Sequence, residues 1–200
     1  MMWALLSISA GLSDAISYSF LKKLQKVDAT VKLTLYMLAA LPFLFFGFIF
    51  YDIPTVSLNF YFIVALNALI LTIGLFILMK SLEIAELSIS IPMLSFTPIF
   101  LLLISYVILK EFPTIMGLIG ILIVVSGSYV INVPNAGRGI LEPFKLFKSR
   151  GVLYMLAVAF LFSISANLTK IGVRMSNPAY FVFITFVFTS WFTYSCGFNS

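Results

Sequence analysis

Asp14 is the one acidic residue of the chain that falls in the middle of an apolar run, residues 2–21. The other six acids and all twelve bases lie in the connections between such runs or at their ends. A carboxylate at mid-membrane costs about 2.5–3.5 kcal/mol on insertion scales, so it faces a bundle interior or a watery cavity. At helical spacing Asp14 is flanked by Ser7, Gly11 and Tyr18, which makes one small, polar stripe. The chemistry this allows is reversible binding of a proton or cation, with Ser17 and Tyr18 lining the path. A second reading stays open: a carboxylate hydrogen-bonded within a bundle, or a first helix set shallower in the membrane.

A second constellation lies in residues 87–109, where Ser88, Pro92 and Ser95 recur at i, i+4 and i+7 and Thr97-Pro98 sits at the centre. Proline removes a backbone donor and frees a carbonyl, which lipid cannot satisfy. Such a helix is expected to lie inside protein or to line a cavity; kinking for packing alone is the other reading. Ser163, Asn167 and Lys170 share a face further on. Asn167 can bond between helices or contact a solute, and Lys170 is expected to snorkel to the interface. Asn67 and Thr72 are similar polar residues in the third run. The expected solute and ion pathway is therefore Asp14, Ser17, Tyr18, Asn67, Ser88, Pro92, Ser95, Pro98 and Asn167.

Other chemistries lack their residues. The chain has no His, so no imidazole base or ligand, and its one cysteine, Cys196, excludes an internal disulfide or cysteine cluster. No glycine-rich phosphate loop or paired-carboxylate motif stands outside the apolar runs. No enzyme activity, cofactor or metal is expected. The net charge of +5 resides in short connections, where Lys and Arg set membrane orientation, so no nucleic-acid partner is expected either.

The elements that must position these residues are helices in a bilayer. The chain is 62% hydrophobic and 10% charged, with a mean hydropathy of +1.15. Seven apolar runs, at 2–21, 33–50, 60–79, 87–109, 115–133, 152–169 and 179 to about 194, are each near the roughly 20 residues a bilayer requires. The first lacks a basic n-region and outruns a signal-peptide core, so it reads as a retained helix. Gly117, Gly120 and Gly127 in the fifth run suit close helix packing. The many aromatics read as lipid-facing bulk.

The longest connection, residues 134–151, divides the chain. Beyond it the sequence restarts: shifted by 148 positions, Leu5 falls on Leu153, Ile16 on Ile164, Ser17 on Ser165 and Lys22 on Lys170. Asp28-Ala29-Thr30 falls on Ser176-Asn177-Pro178, whereas Asp14 falls on Phe162, so any site at Asp14 is asymmetric. Five spans are an odd number, so a second copy enters the membrane inverted, as in many secondary transporters with a midplane site.

The run Ala85-Glu86-Leu87-Ser88-Ile89-Ser90-Ile91-Pro92 through Pro98, followed by Lys110-Glu111-Phe112-Pro113-Thr114 and by Gly117, Gly120 and Gly127, resembles an EamA domain. That domain is the repeat of the drug/metabolite transporter superfamily. The family commonly has glycine where this chain has Lys110. The resemblance implies a multi-pass, all-α carrier of small metabolites or drugs built from two inverted five-helix halves. Small multidrug resistance proteins of the same superfamily also keep an acid in their first helix, which by analogy favours Asp14 as a coupling carboxylate.

The expected organisation is thus a first EamA repeat over 1–133, a connection at 134–151, and the first two helices of an inverted second repeat over 152–200. Expected partners are the lipid bilayer and a small-molecule solute. Because the second copy stops after two spans, the chain reads as truncated. The alternative to a gradient-driven transporter is a non-transporting fragment, or a half-transporter that forms a homo- or hetero-dimer.

Nine of the twelve bases lie in the odd-numbered connections. Positive-inside reasoning puts these in the cytoplasm of a cell-membrane protein, with the N-terminus outside. The family resemblance implies the reverse, with both termini cytoplasmic.

Overall fold

Asp28 accepts the backbone N–H of Thr30 at 2.7 Å, and the chain turns helical at the next residue. Such a side chain satisfies one of the donors that every helix start leaves open. The computed structural model describes residues 2–24, 27–85, 91–132 and 149–197, and among them there are seven α-helices and no strand. They are α1 (Met2–Lys23), α2 (Ala29–Phe45), α3 (Leu58–Ile84), α4 (Thr97–Leu109), α5 (Ile115–Asn132), α6 (Arg150–Met175) and α7 (Pro178–Gly197). Short 3-10 helices, Phe46–Ile49 and Ile91–Phe96, extend α2 and precede α4. Five stretches, Ala29–Ile49, Leu58–Ile84, Pro92–Leu109, Arg150–Met175 and Pro178–Cys196, are long and apolar enough to cross a membrane. The protein is an all-helical, multi-pass membrane protein. α5 contributes a shorter apolar stretch, Ile115–Ser128.

The span read from sequence as one proline-bearing helix is two pieces. Ile91–Phe96 is 3-10, and α4 starts at Thr97 with Pro98 in its first turn. Proline costs little there, because its missing N–H would have had no partner anyway. The carbonyl of Pro92 accepts the Ser128 hydroxyl of α5 at 2.5 Å, so it is met by protein, as lipid exposure would forbid. At the far end of α4, Lys110 takes a left-handed backbone (φ 56°).

Helices adjacent in sequence scarcely touch, and the bundle is assembled by interleaving. Ser81 meets Gly151, Gly74 meets Phe162 and Asn67 meets Thr169, so α3 and α6 pack antiparallel along most of their length. Thr34 meets Thr193 and Gly47 meets Ala179, which makes α2 and α7 a second antiparallel pair. α7 also packs on α3, and α6 on α4, where Phe100 lies edge-on to Phe160. The packing order is α2, α7, α3, α6, α4, with α5 attached through the 3-10 helix Ile91–Phe96.

Two close approaches require glycine. A Cβ at position 151 would lie 2.3 Å from Cβ of Ala85, and one at 172 would lie 2.0 Å from the Phe181 ring. By contrast, a Cβ on Gly120 or Gly127 would meet nothing within 4 Å. These two glycines do not serve packing between the described helices, contrary to the sequence expectation. Phe60 and Phe181, both wholly buried, are exceptions to the expectation that the aromatics are mostly lipid-facing bulk.

The apolar core comes in two pieces. One gathers Leu33, Leu78, Met79, Leu82, Met93, Val152, Met155 and Val158 at the end of the bundle that holds the odd-numbered connections. The other gathers Phe60, Val64 and Phe181 at the opposite end. Lys22, Lys32, Lys80, Glu83 and Arg150 mark the first end, and Asp52, Lys110, Glu111, Lys170 and Arg174 the second.

Candidate functional site

Between the two apolar clusters lies a belt of buried polar side chains. α3 supplies Asn67 and Thr72, α6 supplies Ser163, Ser165 and Asn167, and α7 supplies Thr185, Thr189, Ser190 and Thr193. Asn67 and Ser163 fall close to the middles of their helices. Several members are satisfied locally. Thr72 donates to the Ala68 carbonyl at 2.8 Å, Asn167 Nδ2 to the Ser163 carbonyl at 3.0 Å, and Thr189 to the Thr185 carbonyl at 2.8 Å. Thr34 donates to Thr193 across the α2–α7 contact at 3.3 Å.

Three atoms of the belt are not satisfied. Asn67 Nδ2 donates to Thr169 Oγ1 at 3.5 Å, but Asn67 Oδ1 is buried with no protein partner, as are Thr185 Oγ1 and Ser190 Oγ. Leaving a buried polar atom unpaired costs about 1–3 kcal/mol, so such atoms call for water or a polar solute. Asn67 and Asn167 were both legible as candidates, and the structure puts them on the facing helices α3 and α6. The α7 hydroxyls were missed. Their signal was present, since Thr185, Thr189 and Thr193 recur at i, i+4 and i+8.

The first-helix candidates lie apart from this belt. α1 docks through its C-terminal turns: Tyr18 and Leu21 pack on the first apolar cluster, and Lys22 Nζ donates to the Ala85 carbonyl at 2.8 Å. That bond places a cation on the C-terminus of α3, where the helix dipole favours one. Residues 7–16 of α1 are exposed, so Asp14 lies outside the bundle rather than within it. Asp14 lies near Tyr18 and near Tyr36 of α2. Tyr36 was not among the sequence candidates. Ser17 is half-buried one residue from Tyr18. Phe162, which the 148-residue shift aligns with Asp14, packs its ring on Gly74.

Of the proline-run candidates, Ser88 lies outside the described residues. Pro92 and Ser95 are half-buried in the 3-10 helix, against which α5 and α6 pack. Pro98 lines a separate cavity of about 420 Å³ among α4, α5 and the end of α6. At its mouth Glu111 accepts hydrogen bonds from Lys170 and, at 3.1 Å, from Arg174. Those two cations hold the Glu111 carboxyl below the usual carboxylate range. Lys170 therefore does more than reach for the interface, as expected from sequence; it joins α6 to the loop after α4.

A family model described as the EamA-like transporter family matches residues 1–133. The chain belongs to the EamA-like transporter family. The match covers α1 through α5 and ends where the long connection begins. No curated protein and no solved structure gives a significant match. Membership in this family agrees with the bundle, whose apolar helices enclose a polar belt.

Proposed function

We propose that this EamA-family protein is a secondary transporter that carries a small solute through the polar belt between α3, α6 and α7. The supporting observation is the position of the belt. Unpaired atoms of Asn67, Thr185 and Ser190 lie between two apolar clusters, near the middle of the helices. Midplane sites at the junction of two helix sets are the usual arrangement in secondary transporters. A solute hydroxyl or amide would satisfy these atoms, and the apolar clusters on either side would close the path at each end.

Asp14 is the candidate coupling group. It is the one acid in the middle of an apolar run, and it is exposed at mid-helix. Tyr18 and Tyr36 lie near it. Coupling to a proton gradient would run through this carboxylate. The bases at the Lys22, Lys32, Lys80 and Arg150 end favour that end as the cytoplasmic one in a cell membrane, with the N-terminus outside.

A solute-toxicity screen in an efflux-deficient host identifies the solute, and accumulation in proteoliposomes under an imposed pH gradient reads the coupling. The wild-type chain should accumulate solute against its gradient. Asp14→Asn should keep downhill movement and lose the response to pH. An unchanged pH response in Asp14→Asn would remove Asp14 from the account, and absence of protein-dependent movement would remove the transport reading.

A further inference from the structure

The cavity lined by Pro98 is distinct from the polar belt, and its chemistry is different. Its walls are apolar, built from Leu101 and Leu102 of α4 and Gly117 and Ile121 of α5. Its polar groups gather at one end: Ser105, Glu111 and Lys170. Arg174 stands one turn beyond Lys170 and shares Glu111 with it. The start of α5 closes the same end, where Thr114 Oγ1 accepts the Gly117 N–H at 3.3 Å. Two cations thus share one carboxylate at this end. The surplus is positive. Glu111 is an internal carboxylate already seated on this site.

We infer that the cavity binds a small organic carboxylate, whose anionic end replaces Glu111 on Lys170 and Arg174 and whose apolar body lies between α4 and α5. Its volume of about 420 Å³ accommodates a single-ring or short-chain acid. Binding to this site requires Glu111 to swing away, so an incoming anion also loosens the tie between α6 and the loop after α4. An organic cation would have to take Glu111 from two bases, so the charge arrangement opposes it. Binding is read at equilibrium, without transport, so this inference stands or falls separately from the transport reading.

The test is saturation-transfer NMR on the full chain in phosphatidylcholine nanodiscs, titrated with benzoate, benzylamine and benzyl alcohol. Benzoate should bind, and benzylamine should not. Glu111→Gln should bind benzoate roughly two- to fivefold more tightly, the factor an exposed ion pair supports, because the internal competitor is gone. Lys170→Gln combined with Arg174→Gln should weaken binding, and Leu102→Trp should abolish it by filling the cavity. A merely structural triad would not give opposite signs for Glu111→Gln and the base replacements. Equal binding of benzoate in wild type and Leu102→Trp, or preference for benzylamine, would overturn the proposal. Loss of benzoate binding in nanodiscs containing phosphatidylglycerol would assign the cations to lipid headgroups and overturn it too.

Discussion

The Ser81 hydroxyl of α3 donates to the carbonyl of Gly151 at 2.8 Å, and the glycine lies so close that a Cβ there would be 2.3 Å from Cβ of Ala85. The end of α3 and the start of α6 therefore fit with no room for a methyl group. This contact ties residues on the two sides of the long connection.

Gly151→Ala should lower stability by about 1–3 kcal/mol, the usual cost of overpacking a tight contact. Ala85→Gly in the same chain should recover most of the loss, because it removes the atom that clashes. Thermal unfolding of the single and double variants in detergent checks this. A double variant no more stable than Gly151→Ala would mean that the close approach is not the cause.

Lys110 occupies a left-handed backbone conformation, which costs a residue with a Cβ about 1–2 kcal/mol and glycine almost nothing. It also holds its ammonium 5.9 Å from the Tyr106 ring, a modest attraction. Lys110→Gly should therefore raise stability by roughly 0.5–1 kcal/mol net of that contact. Lys110→Ala, which keeps the strain and loses the ring contact, should lower it. The same ranking for both variants would show that backbone strain is not the controlling factor.

Glu111 has its carboxyl held below the ordinary value of 4.5, chiefly by the hydrogen bond from Lys170 and then by that from Arg174. A depressed carboxylate contributes stability that is fully present above its unfolded value and is lost as pH falls through the folded one. Glu111→Gln should therefore unfold at a lower temperature than wild type at pH 7. The difference should close as pH drops below about 4.5. A gap that persists at low pH would show that charge pairing is not what Glu111 contributes.

Much of this architecture was legible in the sequence, since each of the seven apolar runs holds one of the described helices. Only five stretches are long and apolar enough to cross a membrane, however, and α1 is not among them. The helix caps were not drawn from the sequence: Asp28 and Asn177 both accept a backbone N–H at helix starts, the latter from Tyr180 at 2.8 Å. The break before α4 was not legible either, since Pro92 and Pro98 are compatible with a kink, a 3-10 segment or a helix start. The role of position 110 was missed for a related reason. A family preference for glycine shows that something is needed there, but only the backbone reveals a positive φ.

The site was half legible. Asn67 and Asn167 stood out because amides are costly in an apolar run, whereas the α7 hydroxyls were masked by their aromatic neighbours. Asp14 was legible as a residue but not as a position. Helical spacing fixes which residues share a face, while the docking of α1 by its last turns decides where that face points.

Cysteine access decides whether the belt around Asn67 is a polar path through the bundle. On a Cys196→Ser background, Asn67→Cys in proteoliposomes is treated with a charged, membrane-impermeant thiol reagent. The lipid-facing Phe62→Cys serves as the control, since Phe62 is 71% exposed on the outside of α3. Position 67 should react from at least one side of the membrane while position 62 does not. Protection of position 67 from both sides, with the protein folded, would contradict it.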